Sequence, residues 1–160
     1  MAENNKLEKA KLVFETICRT LESEEWHYQT DEEKLMIGCS ARGDDLAMDI
    51  NIKVDAERSI VMLFSQLPFP IQEDKRLDLA VAIAALNNNL ADGCFDYNIS
   101  NGSIFFRLTN SYIDSTLSQA VFSYMLYCAC QTIDDYNDKF LMLAKGMFSL
   151  EQFLAMLERK

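Results

Sequence analysis

A chain of 160 residues that performs catalysis needs nucleophiles, bases or metal ligands at workable spacings, and this one is sparing with them. His27 is the only histidine. A zinc site built on it would need cysteine or carboxylate partners at ligand spacing, and none is present. Flanked by Trp26 and Tyr28, His27 reads as the end of the first helix. The five cysteines, Cys18, Cys39, Cys94, Cys128 and Cys130, are odd in number and contain no C-x2-C pair. Cys128 and Cys130 stand about 200° apart around a helix, so they point in different directions. A reactive thiol also needs a positive, accessible surrounding that this apolar stretch withholds. The cysteines read as small core residues in a reducing compartment.

The remaining chemistry is no better supplied. Asp134-Asp135-Tyr136-Asn137-Asp138 is the densest acidic run, but it lacks the alternating oxygen ligands of a calcium loop and reads as a solvated helix end. With 25 Asp and Glu on a small surface, adjacent carboxylates arise by chance and identify no acid-base pair. There is no G-x-S-x-G, P-loop or dinucleotide fingerprint, and five glycines leave little room for a phosphate cradle. Arg42-Gly43-Asp44, Asn98-Ile99-Ser100 and Asn101-Gly102-Ser103 resemble extracellular adhesion and glycosylation signals. Turn chemistry accounts for all three. The expectation is a protein with no catalytic residues, no metal and no cofactor, and so not an enzyme.

Composition narrows the partners. Fifteen Lys and Arg against 25 Asp and Glu give a net charge of -10, which disfavours nucleic acid, because phosphate affinity comes from cations that release counterions. Hydrophobic residues make up 49% of the chain, enough to fill one core, so residues 1–160 are expected to form a single domain. The polar start, Met1 to Glu8, has no signal-like apolar run. The longest near-apolar run, Ala120 to Cys130, is too short for a membrane span. A cytoplasmic protein is expected.

These residues must be positioned by helices and strands, and the hydrophobic period separates the two. Leu7, Ala10, Phe14, Ile17 and Leu21 recur at helical steps between Asn5 and Glu25. The period then becomes two. Leu35, Ile37 and Cys39, and then Met48, Ile50, Ile52 and Val54, alternate with polar or small residues, with a turn at Arg42-Gly43-Asp44-Asp45 between them. A third strand, Ile60 to Leu67, is apolar on both faces and ends at Leu67-Pro68-Phe69-Pro70, where proline removes ladder donors. A second helix follows to about Leu90, with Leu77, Val81, Ala84 and Ile83 as its expected buried stripe. Phe95, Tyr97 and Ile99, the Asn101-Gly102 turn, and Ile104, Phe106 and Leu108 read as a hairpin. A third helix carries Leu117, Val121, Tyr124, Cys128, Thr132 and Tyr136 on one face. A short amphipathic piece from Asp138 to Lys145, a break at Gly146 and a last helix from Leu150 to Glu158 complete the chain, with Ser149 and Gln152 as a capping box. The order α-β-β-β-α-β-β-α plus short C-terminal helices belongs to the α+β class, with an antiparallel sheet of about five strands.

Leu67-Pro68-Phe69-Pro70, Leu86-Asn87, Gly93-Cys94-Phe95-Asp96-Tyr97 and Gly102-Ser103-Ile104-Phe105-Phe106-Arg107, with Asp135-Tyr136 and Gly146, resemble the bacterial YbjN family of sensory transduction regulators. The resemblance spans Gln29 to Gly146. It implies a fold similar to that of class I type III secretion chaperones, small acidic proteins that dimerise and hold partner segments in extended form. It implies architecture rather than a reaction.

One surface stands out. If Ile60, Met62 and Phe64 face the helices, then Val61 and Leu63 lie on the opposite sheet face with Met36 and Phe105, among Asp49, Asn51, Lys53 and Arg107. Such a face is a candidate partner-binding surface or dimer contact, since monomers seldom leave large apolar patches bare. Alternatively, the second or the C-terminal helix covers it. The expected function is capture of a protein or peptide segment by a homodimer, through strand addition or side-chain pockets. The alternative is a small-ligand sensor with a pocket between the sheet and the third helix, using Tyr124, Tyr127 and Tyr136 as polar handles.

Overall fold

The elements appear where the hydrophobic period switches between helical and extended. In the computed structural model, which describes residues 2–158, they run α1 (Ala2–Ser23), β1 (Tyr28–Asp31), β2 (Met36–Arg42), β3 (Ala47–Asp55), β4 (Ile60–Gln66), α2 (Arg76–Asn87), β5 (Cys94–Asn98), β6 (Ser103–Ser111), α3 (Gln119–Ala144) and α4 (Leu150–Leu157). All strands join one antiparallel sheet in the order β1-β2-β3-β4-β6-β5. The sixth strand, beyond the five expected, is β1. Its four residues, Tyr28-Gln29-Thr30-Asp31, are too few and too polar for alternation to show. Helix α1 therefore ends earlier than expected, at Ser23, and His27 lies in the link just before β1.

Helices α1 and α3 pack together over one sheet face; α2 lies against β5, and α4 against α2. The core between helices and sheet is built from the side chains that the strand pleat turns inward. Ile50 and Ile52 come from β3, Ile104 and Phe106 from β6, and Ile17 and Leu21 from α1, with Phe122, Leu126, Ala129 and Ile133 from α3.

Val61 and Leu63 belong to this core, both at 0% exposure, which reverses the expected parity of β4. The register explains the reversal. Val61 stands opposite Val54, and Leu63 stands opposite Ile52 on one side and Leu108 on the other. Residues paired across an antiparallel ladder share a face, so the clean alternation of β3 dictates which side of the ambiguous β4 is buried.

The helical stripes are corrected in the same way. Helix α2 buries Leu79, Ala82, Ile83 and Leu86, whereas Leu77 is 72% exposed and Val81 49%. Ala84 is exposed too, so of the expected stripe only Ile83 is buried. A helix apolar around most of its girth has little intrinsic preference for one side, and its neighbours choose. Helix α3 is continuous for 26 residues, without the break expected near Asp138. Its buried face is Phe122, Met125, Leu126, Ala129, Ile133, Tyr136, Asn137, Phe140 and Leu143, while Val121 and Tyr124 are exposed.

Asp134 lies within this helix rather than at a solvated end. Its carboxylate accepts the backbone N–H of Asp44 at 3.0 and 3.1 Å, tying the β2–β3 turn to α3. A side chain at Gly43 would put its Cβ 1.8 Å from the Asp134 Oδ1, so glycine is what admits the carboxylate. Gly102 performs two tasks. It takes φ 76° in the β5–β6 turn, and its carbonyl accepts the Ile71 N–H at 2.9 Å. At the C-terminal end the Ser149–Gln152 capping box forms as expected, with the Gln152 N–H donating to Ser149 Oγ at 3.2 Å and the Ser149 N–H donating to Gln152 Oε1 at 2.9 Å.

Candidate functional site

With Val61 and Leu63 turned inward, the opposite face of the sheet presents a different set of side chains. Alternation in β3 sends Asp49, Asn51 and Lys53 outward, and the register carries that face across the strands. Lys53 pairs with Met36 and Met62, Asn51 with Gly38 and Phe64, Phe64 with Arg107, and Phe105 with Gln66 and Asp96. Met36, Met62, Phe64 and Phe105 are each half-buried, packed among their neighbours but open to solvent. Among the described residues no helix lies over them. Met36 and Phe105 thus occupy the face expected of them, together with Met62 and Phe64 in place of Val61 and Leu63.

A polar cluster borders this apolar band. The Arg107 guanidinium donates to Asp96 through Nε at 2.6 Å and through Nη2 at 3.1 Å, and reaches the Cys94 sulfur at 3.5 Å. The guanidinium holds the Asp96 carboxyl below its ordinary value, against the opposing effect of partial burial. Burial, and then the Asp96 charge, push the Cys94 thiol up despite Arg107. A protonated thiol is a poor nucleophile, so the cluster is suited to contact rather than to covalent chemistry.

The relief of the face comes from its glycine and its prolines. A Cβ added to Gly38 would find only Asn51 Oδ1, at 4.0 Å, so the surface is hollow there. The hollow is an open groove of about 710 Å³ bordered by His27, Gln29, Gly38, Ser40, Asp49 and Asn51. A second open groove runs beside Gln66, Pro68, Phe69 and Pro70, where the prolines end β4.

The two sheet edges differ. On β5 the side-chain amide of Asn87 copies a neighbouring strand, accepting the Phe95 N–H at 2.8 Å and donating to the Phe95 carbonyl at 2.9 Å. That edge is closed at Phe95. The opposite edge is β1, which ends the strand order.

Other sequence candidates do not assemble. Tyr124 and Tyr127 project into solvent, while Tyr136 is buried edge-on to Phe95 at 6.4 Å, so the three do not converge. Phe122, Leu126, Ala129 and Ile133 fill the space between α3 and the sheet where the alternative ligand pocket was expected. All five cysteines are unpaired. Burial pushes the thiols of Cys39 and Cys130 up to about 11 and about 12. Among the described residues no group of three His, Cys, Asp or Glu is placed to hold a metal ion, and no helix is long and apolar enough to cross a membrane.

Met62 and Phe64 on the open face, and Asn87 at the β5 edge, are the residues whose placement sequence reasoning missed. The loop between Asp55 and Ile60 held the missing signal. Four intervening residues put Val54 opposite Val61, whereas one more or one fewer would reverse every side chain of β4.

Comparison with known proteins bears on the family and the fold. Residues 14–142 match the profile of a family named YbjN and described as "Putative bacterial sensory transduction regulator". No curated protein matches the chain. Among solved structures, YbjN from E. coli, described as a putative transcription regulator, superposes with a TM-score of 0.57 at 12% identity, covering 79% of this chain and 92% of that one. The ExsC-ExsE complex contains a chain with a TM-score of 0.57 at 14% identity, covering 79% and 94%. The HopA1-SchA chaperone-effector complex contains one with a TM-score of 0.52 at 15% identity, covering 77% and 91%. At such identities the likeness is one of fold.

Proposed function

The chain belongs to the YbjN family, and from that membership and the geometry of its sheet we propose that it is a non-enzymatic, cytoplasmic adaptor or chaperone-like protein that holds an extended segment of a protein partner on the open face of the sheet. The observation that carries this reading is the band Met36, Met62, Phe64 and Phe105, half-buried on a face without a helix and bordered by the grooves at Gly38 and at Pro68. Aromatic anchors beside hollows, with a charged rim at Lys53, Asp96 and Arg107, are what a peptide-binding surface requires. Two of the similar folds were solved in complexes with another protein, ExsC with ExsE and HopA1 with SchA, which supports partner binding. If backbone pairing contributes, β1 is the edge that would accept the strand, because Asn87 occupies the Phe95 groups of the β5 edge. A homodimer is part of the proposal. The exposed apolar residues Leu77 and Val81 of α2, with the small Ala84 beside them, are the surface it would use.

The test is capture from the native cell's lysate with the wild-type chain, Phe64→Lys and Phe105→Lys. Both variants replace outward-facing side chains and should keep a native circular dichroism spectrum. Loss of one centrally placed aromatic anchor costs about 2 kcal/mol or more, roughly thirtyfold in affinity, so the partner should disappear from both. A partner retained by both folded variants would refute the reading.

A further inference from the structure

Of the five glycines, four are required where they stand. Gly93, Gly102 and Gly146 take φ of 73°, 76° and 67°, and Gly43 leaves room for the Asp134 carboxylate. Gly38 has no such duty. It lies inside β2 with its φ outside the left-handed region, and the pairing with β1 and β3 runs through it without a bulge. A Cβ there would meet nothing nearer than Asn51 Oδ1, at 4.0 Å. Glycine inside a strand costs stability against alanine, and one that the chain's own packing does not require marks a place where something else approaches the backbone closely.

Charge and hydrogen bonding identify what approaches. Gly38 pairs with Gln29 on one side and Asn51 on the other, so the hollow on the open face has bare β2 backbone as its floor, with the Ser40–Asp49 pair one step along. Of the outward-facing acids of the sheet, Asp31 forms an ion pair with Lys34, Asp96 forms one with Arg107, and Asp55 accepts the Arg58 N–H at 2.9 Å. Asp49 accepts only the Ser40 hydroxyl, on Oδ1 at 2.8 Å. Among the described residues no lysine or arginine pairs with it, Arg42 and Lys53 on the same face included. Asp49 Oδ2 and Asn51 Oδ1 therefore border the hollow as acceptors that no donor of the described residues fills.

We infer that the hollow at Gly38 receives an arginine side chain of the bound partner segment, an inference that rests on the proposal that the open face holds such a segment. A guanidinium is flat, so it lies against a bare peptide plane, and its N–H groups spread in that plane to reach two separate acceptors while its charge meets that of Asp49. A lysine ammonium matches the charge but not the flat floor. Met36 stands two residues from Gly38 on the same face of β2, about 7 Å away. In an extended segment the residue two places from the arginine spans the same distance and rests on the apolar band. The partner is thereby specified as a segment with an arginine and an apolar residue two positions apart.

The probe is ethylguanidinium chloride, titrated into the isotope-labelled full chain and followed by amide chemical shifts, with ethylurea as its neutral counterpart of similar shape. The amides of Gly38 and Asn51 should saturate with ethylguanidinium at a concentration roughly fivefold or more below that needed at Glu33, an exposed acid with no ion pair, and should not respond to ethylurea. Asp49→Asn should abolish that saturation. A response no stronger than that of Glu33, or an equal response to ethylurea, would overturn the inference. Gly38→Thr tests the premise without any ligand. Relieved of its glycine, β2 should melt about 1–4 °C higher while the ethylguanidinium response disappears. A lowered midpoint would show that the fold itself needs the glycine, and would overturn the inference. In capture from the native cell's lysate, a partner lost from Phe64→Lys and Phe105→Lys but held by folded Gly38→Thr and Asp49→Asn would overturn this inference alone, whereas a partner held by all four would refute the reading on which it rests.

Discussion

Replacing Leu63 and Phe64 by alanine, one at a time, separates the two faces of β4 by their energetic cost. Leu63 is fully buried, between Ile52 and Leu108 on its neighbouring strands. Truncation there removes apolar contacts and leaves a cavity, at a cost of about 2–5 kcal/mol. For a chain of this length each kcal/mol lowers the midpoint of thermal unfolding by about 2–4 °C, so Leu63→Ala should lower it by about 4–20 °C. Phe64 faces the other way and is only partly buried, with Asn51 and Arg107 beside it. Its truncation gives up only the area it hides, about 1 kcal/mol, or about 2–4 °C. The contrast extends to charge. Phe64→Lys is expected to fold, whereas Leu63→Lys would place an unpaired ammonium in the core and unfold the domain. Thermal melts of the two alanine variants by far-ultraviolet circular dichroism measure the difference. A Phe64→Ala midpoint as low as that of Leu63→Ala would refute the assignment of faces.

Three further outcomes follow from contacts outside the band. Gly43→Ala forces the Asp134 carboxylate away from the Asp44 N–H and should cost about 1–2 kcal/mol in urea unfolding; adding Asp134→Ala should make it no worse than Asp134→Ala alone, and additive losses would contradict the clash. Asn87→Leu leaves the Phe95 N–H and carbonyl without partners, and should cost about 2–4 kcal/mol and increase light scattering as the β5 edge becomes available; an unchanged melt would show that the amide does not close the edge. The Asp96 carboxyl is held below its unfolded value by Arg107, so the stabilisation from this pair is complete above the ordinary carboxylate range and is lost as pH falls below about 4. With Arg107 and Asp96 42% and 45% exposed, screening leaves about 0.5 kcal/mol. Asp96→Asn should therefore melt about 1–2 °C below wild type near pH 7 and together with it near pH 3, and a gap that persists at about pH 3 would rule the pair out as its cause.

Much of this fold is legible in the sequence where residue type and period agree. Met48, Ile50, Ile52 and Val54 alternate cleanly, and β3 is placed with the correct face inward. Ser149 and Gln152 announce the start of α4, and Asn101-Gly102 announces the β5–β6 turn. Legibility fails where a segment is apolar on every side, because local pattern then leaves the orientation to tertiary neighbours. Val61 and Leu63 were expected outside for that reason, although Val54 and Ile52, across the ladder, hold them inside. Leu77, Val81, Ala84 and Ile83 are the expected inner stripe of α2, yet of these only Ile83 is buried, beside Leu79, Ala82 and Leu86. The acidic run at Asp134 imitates a helix end, because a carboxylate that binds a distant turn and one that faces water look alike in sequence. Of the four residues expected on the open face, Met36 and Phe105 lie there, whereas Val61 and Leu63 lie in the core and Met62 and Phe64 take their place, because the parity of β4 is not legible locally.

The central claim is that the open face of the sheet holds a protein segment, and site-specific photocrosslinking in the native cell tests it most directly. Benzoylphenylalanine would replace Met36, Phe64 or Phe105 on that face, and Gln131, exposed on α3, as the control. Adducts to one common partner are expected from all three sheet positions and none from Gln131. Adducts to no protein from the sheet face, or the same adducts from Gln131, would contradict it.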